Sequence, residues 1–157
     1  MRRTADYIIG TLQKNYSRYP MFMADALKVA GYTRDKLDKE PSIIVSSLLH
    51  NYGKVCVKDG KTPFTALEQS RAYFTLKSLG FPQEVIIPIY NLVVPEEYFW
   101  TGKVSDYTPF HDGVDKRYYT DTLILRTSIS NSKYYRVSEK NIYDYYDYIK
   151  YVLAQTY

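Results

Sequence analysis

The sequence predicts an all-α protein, and three observations carry that expectation. Apolar residues recur at three- and four-residue intervals through most of the chain, proline stands repeatedly where such a pattern begins, and no two strand-like runs of comparable quality exist to pair. The 157 residues fit one domain of the common size, roughly 100–200 residues. Residues 1–157 therefore read as a single compact bundle of about six or seven helices.

Taken in order, a first helix is expected over about Thr4 to Tyr16, with Tyr7, Ile8, Leu12 and Tyr16 near helical spacing. Pro20 opens a second that puts Phe22, Ala26, Val29 and Ala30 on one side, and Gly31 is expected to stop it. Pro41 opens a third, Ser-Ile-Ile-Val-Ser-Ser-Leu-Leu-His, apolar almost all round and therefore expected at the centre. Val55 to Lys61 reads as a loop or short extended arm turning at Asp59-Gly60. Thr62 and Pro63 form a cap and first-turn pair for a helix that turns Leu67, Phe74 and Leu76 to Leu79 inward and ends at Gly80. Pro82 opens the next, through Ile86, Ile87 and Leu92, kinked at Pro88 for want of a backbone donor. Pro95 to about Lys116 is irregular, and loops of such length are often functional. Two helices close the chain, about Tyr118 to Asn131 and Ser138 to Gln155. In the last, Ile142, Tyr146, Ile149 and Leu153 form the inward stripe, with Tyr143, Tyr148 and Tyr151 nearer the edge.

Composition narrows the class. A hydrophobic fraction of 45% and a charged fraction of 24% are those of a globular domain rather than a disordered chain. No apolar run approaches the roughly 18 residues of a spanning helix, so no membrane partner is expected. No secretory signal is visible behind Met1-Arg2-Arg3, and the single Cys56, without an intrachain partner, fits a reducing cytoplasm. The formal charge of +4, from 21 Lys and Arg against 17 Asp and Glu, favours anionic ligands weakly. Without a dense basic run it argues against nucleic acid as a partner, although the 19 tyrosines offer stacking surfaces.

The most informative stretch is Ser47-Leu48-Leu49-His50-Asn51-Tyr52-Gly53-Lys54. It resembles the Leu-Leu-His-Asp-x-Gly-Lys signature of the HD superfamily, helical metal-dependent phosphohydrolases. Upstream, Asp25-Ala26-Leu27-Lys28-Val29-Ala30 is similar to the family's His-x-x-x-Val-Ala helix. Downstream, Leu67-Glu68-Gln69-Ser70 and Leu79-Gly80-Phe81-Pro82 resemble its His-Glu-x-x-Ser helix and Leu-Gly turn. Leu123 to Asn131 looks like its late Leu-x-x-Ala-Asp-x-x-x-Asn helix, with Ser128 in the aspartate's place. The match covers about residues 20 to 135 in the family's order and leaves the last helix unassigned.

The resemblance implies the family's fold and four ligand positions for a divalent cation that activates water for attack on phosphorus. At those positions only His50 keeps the family's residue. Asp25 stands in the first histidine's place as an oxygen donor, Asn51 offers a neutral carbonyl, and Ser128 a neutral hydroxyl, a poor ligand for a transition metal. Two anionic ligands are lost, so no metal, cofactor or catalytic residue is expected to operate. A pocket stripped of carboxylates no longer repels phosphate, and Lys54, Arg71 and Arg126 would then set its potential. The expectation is non-hydrolytic binding of a phosphorylated small molecule, a nucleotide or nucleotide-derived signal, by His50, Asn51, Lys54, Asp25, Arg71, Arg126 and Ser128. Tyr52, Tyr90 or Trp100 would stack on a base. Uncatalysed phosphate-ester hydrolysis is among the slowest reactions known, so a captured nucleotide would persist. Small size and a degraded catalytic set would suit a viral protein that sequesters a host signal.

The same residues have plainer roles available. His50 can be a core histidine bonded to backbone, Asn51 a helix cap with Gly53 as the left-handed exit, and Lys54 a solvated side chain. Arg71 and Arg126 can pair with Glu68 or Asp121 at the surface, and Asp25 can sit on an exposed helix face. Two further functions stand as alternatives. One is a working phosphohydrolase in which His111 and Asp112 replace the lost ligands. The other is a protein-interaction domain built on the tyrosines of the last helix with Tyr98, Phe99 and Trp100. A homo-oligomer with pockets shared at a two-fold interface is compatible with each.

Overall fold

In the computed structural model, residues 4–57, 66–94 and 118–155 are described, and among these every regular element is helical. Helix α1, Ala5–Ser17, starts where the Thr4 side chain accepts a hydrogen bond from the Tyr7 N–H at 3.1 Å. Helix α2, Pro20–Tyr32, opens on its proline and runs on into a π-turn at Thr33–Leu37 instead of stopping at Gly31. The glycine is there for packing: a Cβ on Gly31 would overlap Val137 Cγ1.

Helix α3, Pro41–Leu48, is the centre, as its all-round apolar sequence predicts. Every residue from Ile43 to Leu48 is buried, and α3 packs against α2, α6 (Gln83–Tyr90), α7 (Tyr119–Asn131) and α8 (Tyr146–Ala154). The α3–α6 contact also places a donor beside a defect. Pro88, inside α6, lacks the N–H that would bond the Glu84 carbonyl. Ser46 of α3 donates to the adjacent Val85 carbonyl at 2.7 Å and lies 3.5 Å from that of Glu84. Pro82 caps α6 rather than beginning it, and a 3-10 turn at Asn91–Val93 follows.

Where a loop was expected at Val55, a short helix, α4, Tyr52–Val57, packs on α5, Ala66–Ser78. Helix α5 ends in a Schellman arrangement: Gly80 at φ 101° lets its N–H bond Lys77 O at 3.0 Å while the Phe81 N–H bonds Leu76 O at 3.1 Å. Its inward face is Gln69, Ala72, Tyr73 and Leu76, a helical i, i+3, i+4, i+7 set, joined by Leu79 just past the helix end. Phe74 falls outside that set and is 54% exposed, against the expectation.

The last helix is shorter than expected. Residues 138–141 are not helical, and a 3-10 turn at Ile142–Tyr145 precedes α8. Three residues per turn bring Tyr145, not Tyr146, beneath Ile142, so Tyr145 is fully buried beside Ile149, Val152 and Leu153. Tyr143 and Tyr151 are exposed as predicted, and Tyr148 is half-buried. The cap pair Thr62-Pro63 and the segment holding Tyr98, Phe99, Trp100, His111 and Asp112 lie outside the described residues. No helix among the described residues is long and apolar enough to cross a membrane.

Candidate functional site

The stretch with the family resemblance lies at the break between α3 and α4. Leu49 still donates to Val45 O at 3.0 Å, but the His50 N–H reaches only Ser47 O, at 3.4 Å, before Tyr52 N–H bonds Leu49 O and a new helix begins. His50 is buried there with Nδ1 2.8 Å from the Ser47 carbonyl. A carbonyl only accepts, so Nδ1 carries the proton and Nε2 the lone pair. Burial pushes the His50 pKa down to about 4; the Ser47 carbonyl opposes that shift and the Lys54 ammonium adds to it. The imidazole is neutral at pH 7.

A pH dependence follows. An unfolded histidine takes a proton below about pH 6.5, while folded His50 holds out to about 4. In that window the unfolded state binds more protons, so stability falls as the pH drops from about 6.5 toward 4, by up to about 3 kcal/mol. Urea midpoints measured between about pH 7 and 5 should show this slope, and His50→Gln should flatten it.

Asn51 has both ends of its amide in use. Its Oδ1 accepts from the Tyr16 hydroxyl at 2.9 Å and its Nδ2 donates to the Phe22 carbonyl at 2.9 Å. It thus ties the break to α1 and α2. Tyr52 is buried against Tyr16, ring centroids 5.6 Å apart, and accepts from Asn15 Nδ2 at 2.8 Å. Tyr90 is also in the core, so neither tyrosine offers a base a free face.

Ser128 of α7 is buried in a line of hydroxyls. Its Oγ lies 2.6 Å from Thr33 Oγ1, which lies 2.7 Å from Ser47 Oγ, which donates to Ile43 O at 2.8 Å. With one proton per hydroxyl, Ser47 donates to Ile43 O and Ser128 to Thr33, whose own proton is shared between Ser47 Oγ and the Val29 carbonyl, 2.9 Å away. Thr33→Val, which keeps the shape and deletes the hydroxyl, should destabilise the protein by about 1–3 kcal/mol in denaturant titrations, because the buried Ser128 and Ser47 hydroxyls each lose a contact.

Two of the three cations predicted to meet phosphate, Lys54 and Arg126, have partners within the protein. Lys54 Nζ lies 3.3 Å from Glu68 Oε2, with both side chains almost fully buried. Arg126 donates to the Asn91 carbonyl at 3.3 Å and to that of Val94. These bonds replace the expected solvated Lys54 and the expected pairing of Arg126 with a surface carboxylate. Arg71 is exposed on α5 and Asp25 on α2, and neither bonds to the buried set. The structure therefore brings His50, Asn51, Lys54 and Ser128 into one interior and leaves Asp25 and Arg71 outside it.

These donors do not fit a divalent cation. Asn51 Oδ1 and Ser128 Oγ are engaged by Tyr16 and Thr33, and Asp25 is turned to solvent. Among the described residues no three His, Cys, Asp or Glu side chains are grouped to hold a metal ion.

Thr33, Tyr16 and Glu68 complete this interior, and sequence reasoning gave them no site role. Thr33 is 95 residues from Ser128, and no local pattern marks such a pair. Glu68 did carry a signal, being an acidic residue one position before the buried stripe of α5. The chain matches no family model, and no curated protein or solved structure is significantly similar to it. Fold and site together define an all-α bundle with a buried polar seam that hydrogen bonds and one ion pair tie across its helices.

Proposed function

We propose that this protein binds a phosphorylated small molecule, a nucleotide or nucleotide-derived signal, without hydrolysing it. One observation carries the reading: at the positions where the resemblance puts metal-ligating carboxylates, Asn51 and Ser128 are neutral and bonded to Tyr16, Phe22 and Thr33. A water needs a cation or a base to attack phosphorus at a useful rate, and this arrangement holds neutral groups in that place. Binding draws support from the net charge of +4 and from cations that pair with no carboxylate among the described residues, Lys28, Arg136 and Lys140 among them. Sequestration or sensing of the bound molecule is the corresponding role.

A thermal-shift screen of nucleotides and other phosphate esters, with and without EDTA, tests this. A ligand at a hundredfold excess over Kd should stabilise the protein by about 2.7 kcal/mol, equally in chelator, and mass spectrometry should recover it intact. Release of inorganic phosphate that requires added Mn2+ would establish the hydrolase reading instead.

A further inference from the structure

We propose that the anion seat is a groove between α2 and residues 133–140, and that it takes a molecule with a phosphate head and an apolar body. This rests on the reading that the protein binds a phosphorylated small molecule, and it moves the site away from the interior around His50. Met23, Leu27 and Val137 give the groove an apolar floor, and Lys28, Arg136 and Lys140 line the same cavity, which has a volume of about 470 Å3. Small-molecule sites commonly span about 300–1,000 Å3.

The three cations are left without ion pairs among the described residues because the carboxylates nearby bond to other groups, although a single guanidinium, that of Arg34, serves two of them. Glu139, which also lines the groove, is paired with Arg34 Nη1. Asp35 accepts from Arg34 Nε at 2.8 Å and from the Tyr135 hydroxyl at 2.6 Å. Asp144 accepts from the backbone N–H groups of Lys140, at 2.6 Å, and Asn141, at 3.1 Å. Among the described residues none of the three cations makes an ion pair, and Asp25, one turn before Lys28, is not within ion-pairing distance of it. A phosphate monoester carries about 1.5 to 2 negative charges at neutral pH and three acceptor oxygens, a better match to three cations than a single carboxylate.

The groove is also held open in advance. Val137 is seated on Gly31, and Tyr135 stands edge-on to Tyr32 with ring centroids 5.4 Å apart. Lys54 and Arg126, by contrast, are bonded to Glu68 and to the Asn91 and Val94 carbonyls. A phosphate entering there would have to displace bonds the fold uses; in the groove it displaces water.

The probe is 1-naphthyl phosphate, titrated calorimetrically in EDTA, with inorganic phosphate and 1-naphthol as its two halves. The whole probe should bind at least about tenfold more tightly than either half. Lys28→Glu with Arg136→Glu should weaken it by at least about tenfold, with the ligand-free unfolding midpoint unchanged, and Lys14→Glu on α1 should leave it unaltered. In the unsubstituted protein the methyl resonances of Met23, Leu27 and Val137 should shift on titration, which tests the site even if the double variant folds poorly. Equal affinity in the charge-reversed variant, or methyl shifts confined to other residues, overturns the groove and leaves phosphate binding standing. Nucleotides that bind where 1-naphthyl phosphate does not overturn the groove in the same way. If no phosphate ester binds at all, both readings fall.

Discussion

Lys54→Met should destabilise the protein by about 3–5 kcal/mol, measured by urea or guanidinium unfolding. The substitution keeps the apolar stem of the side chain and removes its charged end, so most of the loss comes from Glu68. That carboxylate sits on α5 with 1% of its side chain exposed, 3.3 Å from the Lys54 ammonium. Deprived of the ammonium, it loses its ion pair in a medium where a buried charge is strongly disfavoured. The pair itself adds little net stability, because desolvating two ions offsets most of their attraction. Lys54→Met combined with Glu68→Leu should therefore recover most of what the single change loses. A double variant as unstable as the single one would show that the seam needs the ions as ions, and not merely filled volume.

Gly53→Ala is expected to destabilise by about 3 kcal/mol, the upper end of what overpacking usually does. A Cβ at this position would overlap the Glu68 carbonyl oxygen and lie 2.7 Å from its carbon. The obstacle is backbone, which cannot rotate aside as a side chain can. Relief requires α4 to back away from α5, and that movement also stretches the Lys54–Glu68 contact. Gly10, in the middle of α1, is the internal control. Its Cβ would meet nothing closer than the Tyr143 hydroxyl at 3.5 Å, so Gly10→Ala should stabilise by about 0.5–1 kcal/mol through helix propensity. Opposite signs at two helical glycines would show that packing, and not backbone freedom, selects glycine at position 53.

The two effects bear on the family resemblance. In the string Leu48-Leu49-His50-Asn51-Tyr52-Gly53-Lys54, each polar residue and the glycine has a structural task here: His50 bonds backbone, Asn51 joins three helices, Gly53 admits α5, and Lys54 neutralises Glu68. The motif therefore reads as a knot in the fold. A binding function built on this chain is better sought where cations are left over.

The all-α class, the central place of α3 and the starts at Thr4, Pro20 and Pro41 were legible in the sequence. Each depends on neighbours a few positions away: a side chain that caps its own helix, a proline that presets its own φ, a run of β-branched and leucine residues that no solvent-facing helix would carry. Gly80 was legible for the same reason, since a left-handed residue after Ser78 needs no distant partner. Tertiary structure alone decided that Gly31 would lie within α2 under Val137, that Ser128 would find Thr33, and that Lys54 would find Glu68. It also placed Lys28 beside Arg136 and Lys140 on one groove. Local free energies are written in short stretches of chain, whereas the partner of a buried charge or hydroxyl is fixed only when helices far apart in sequence are pressed together and water is removed between them.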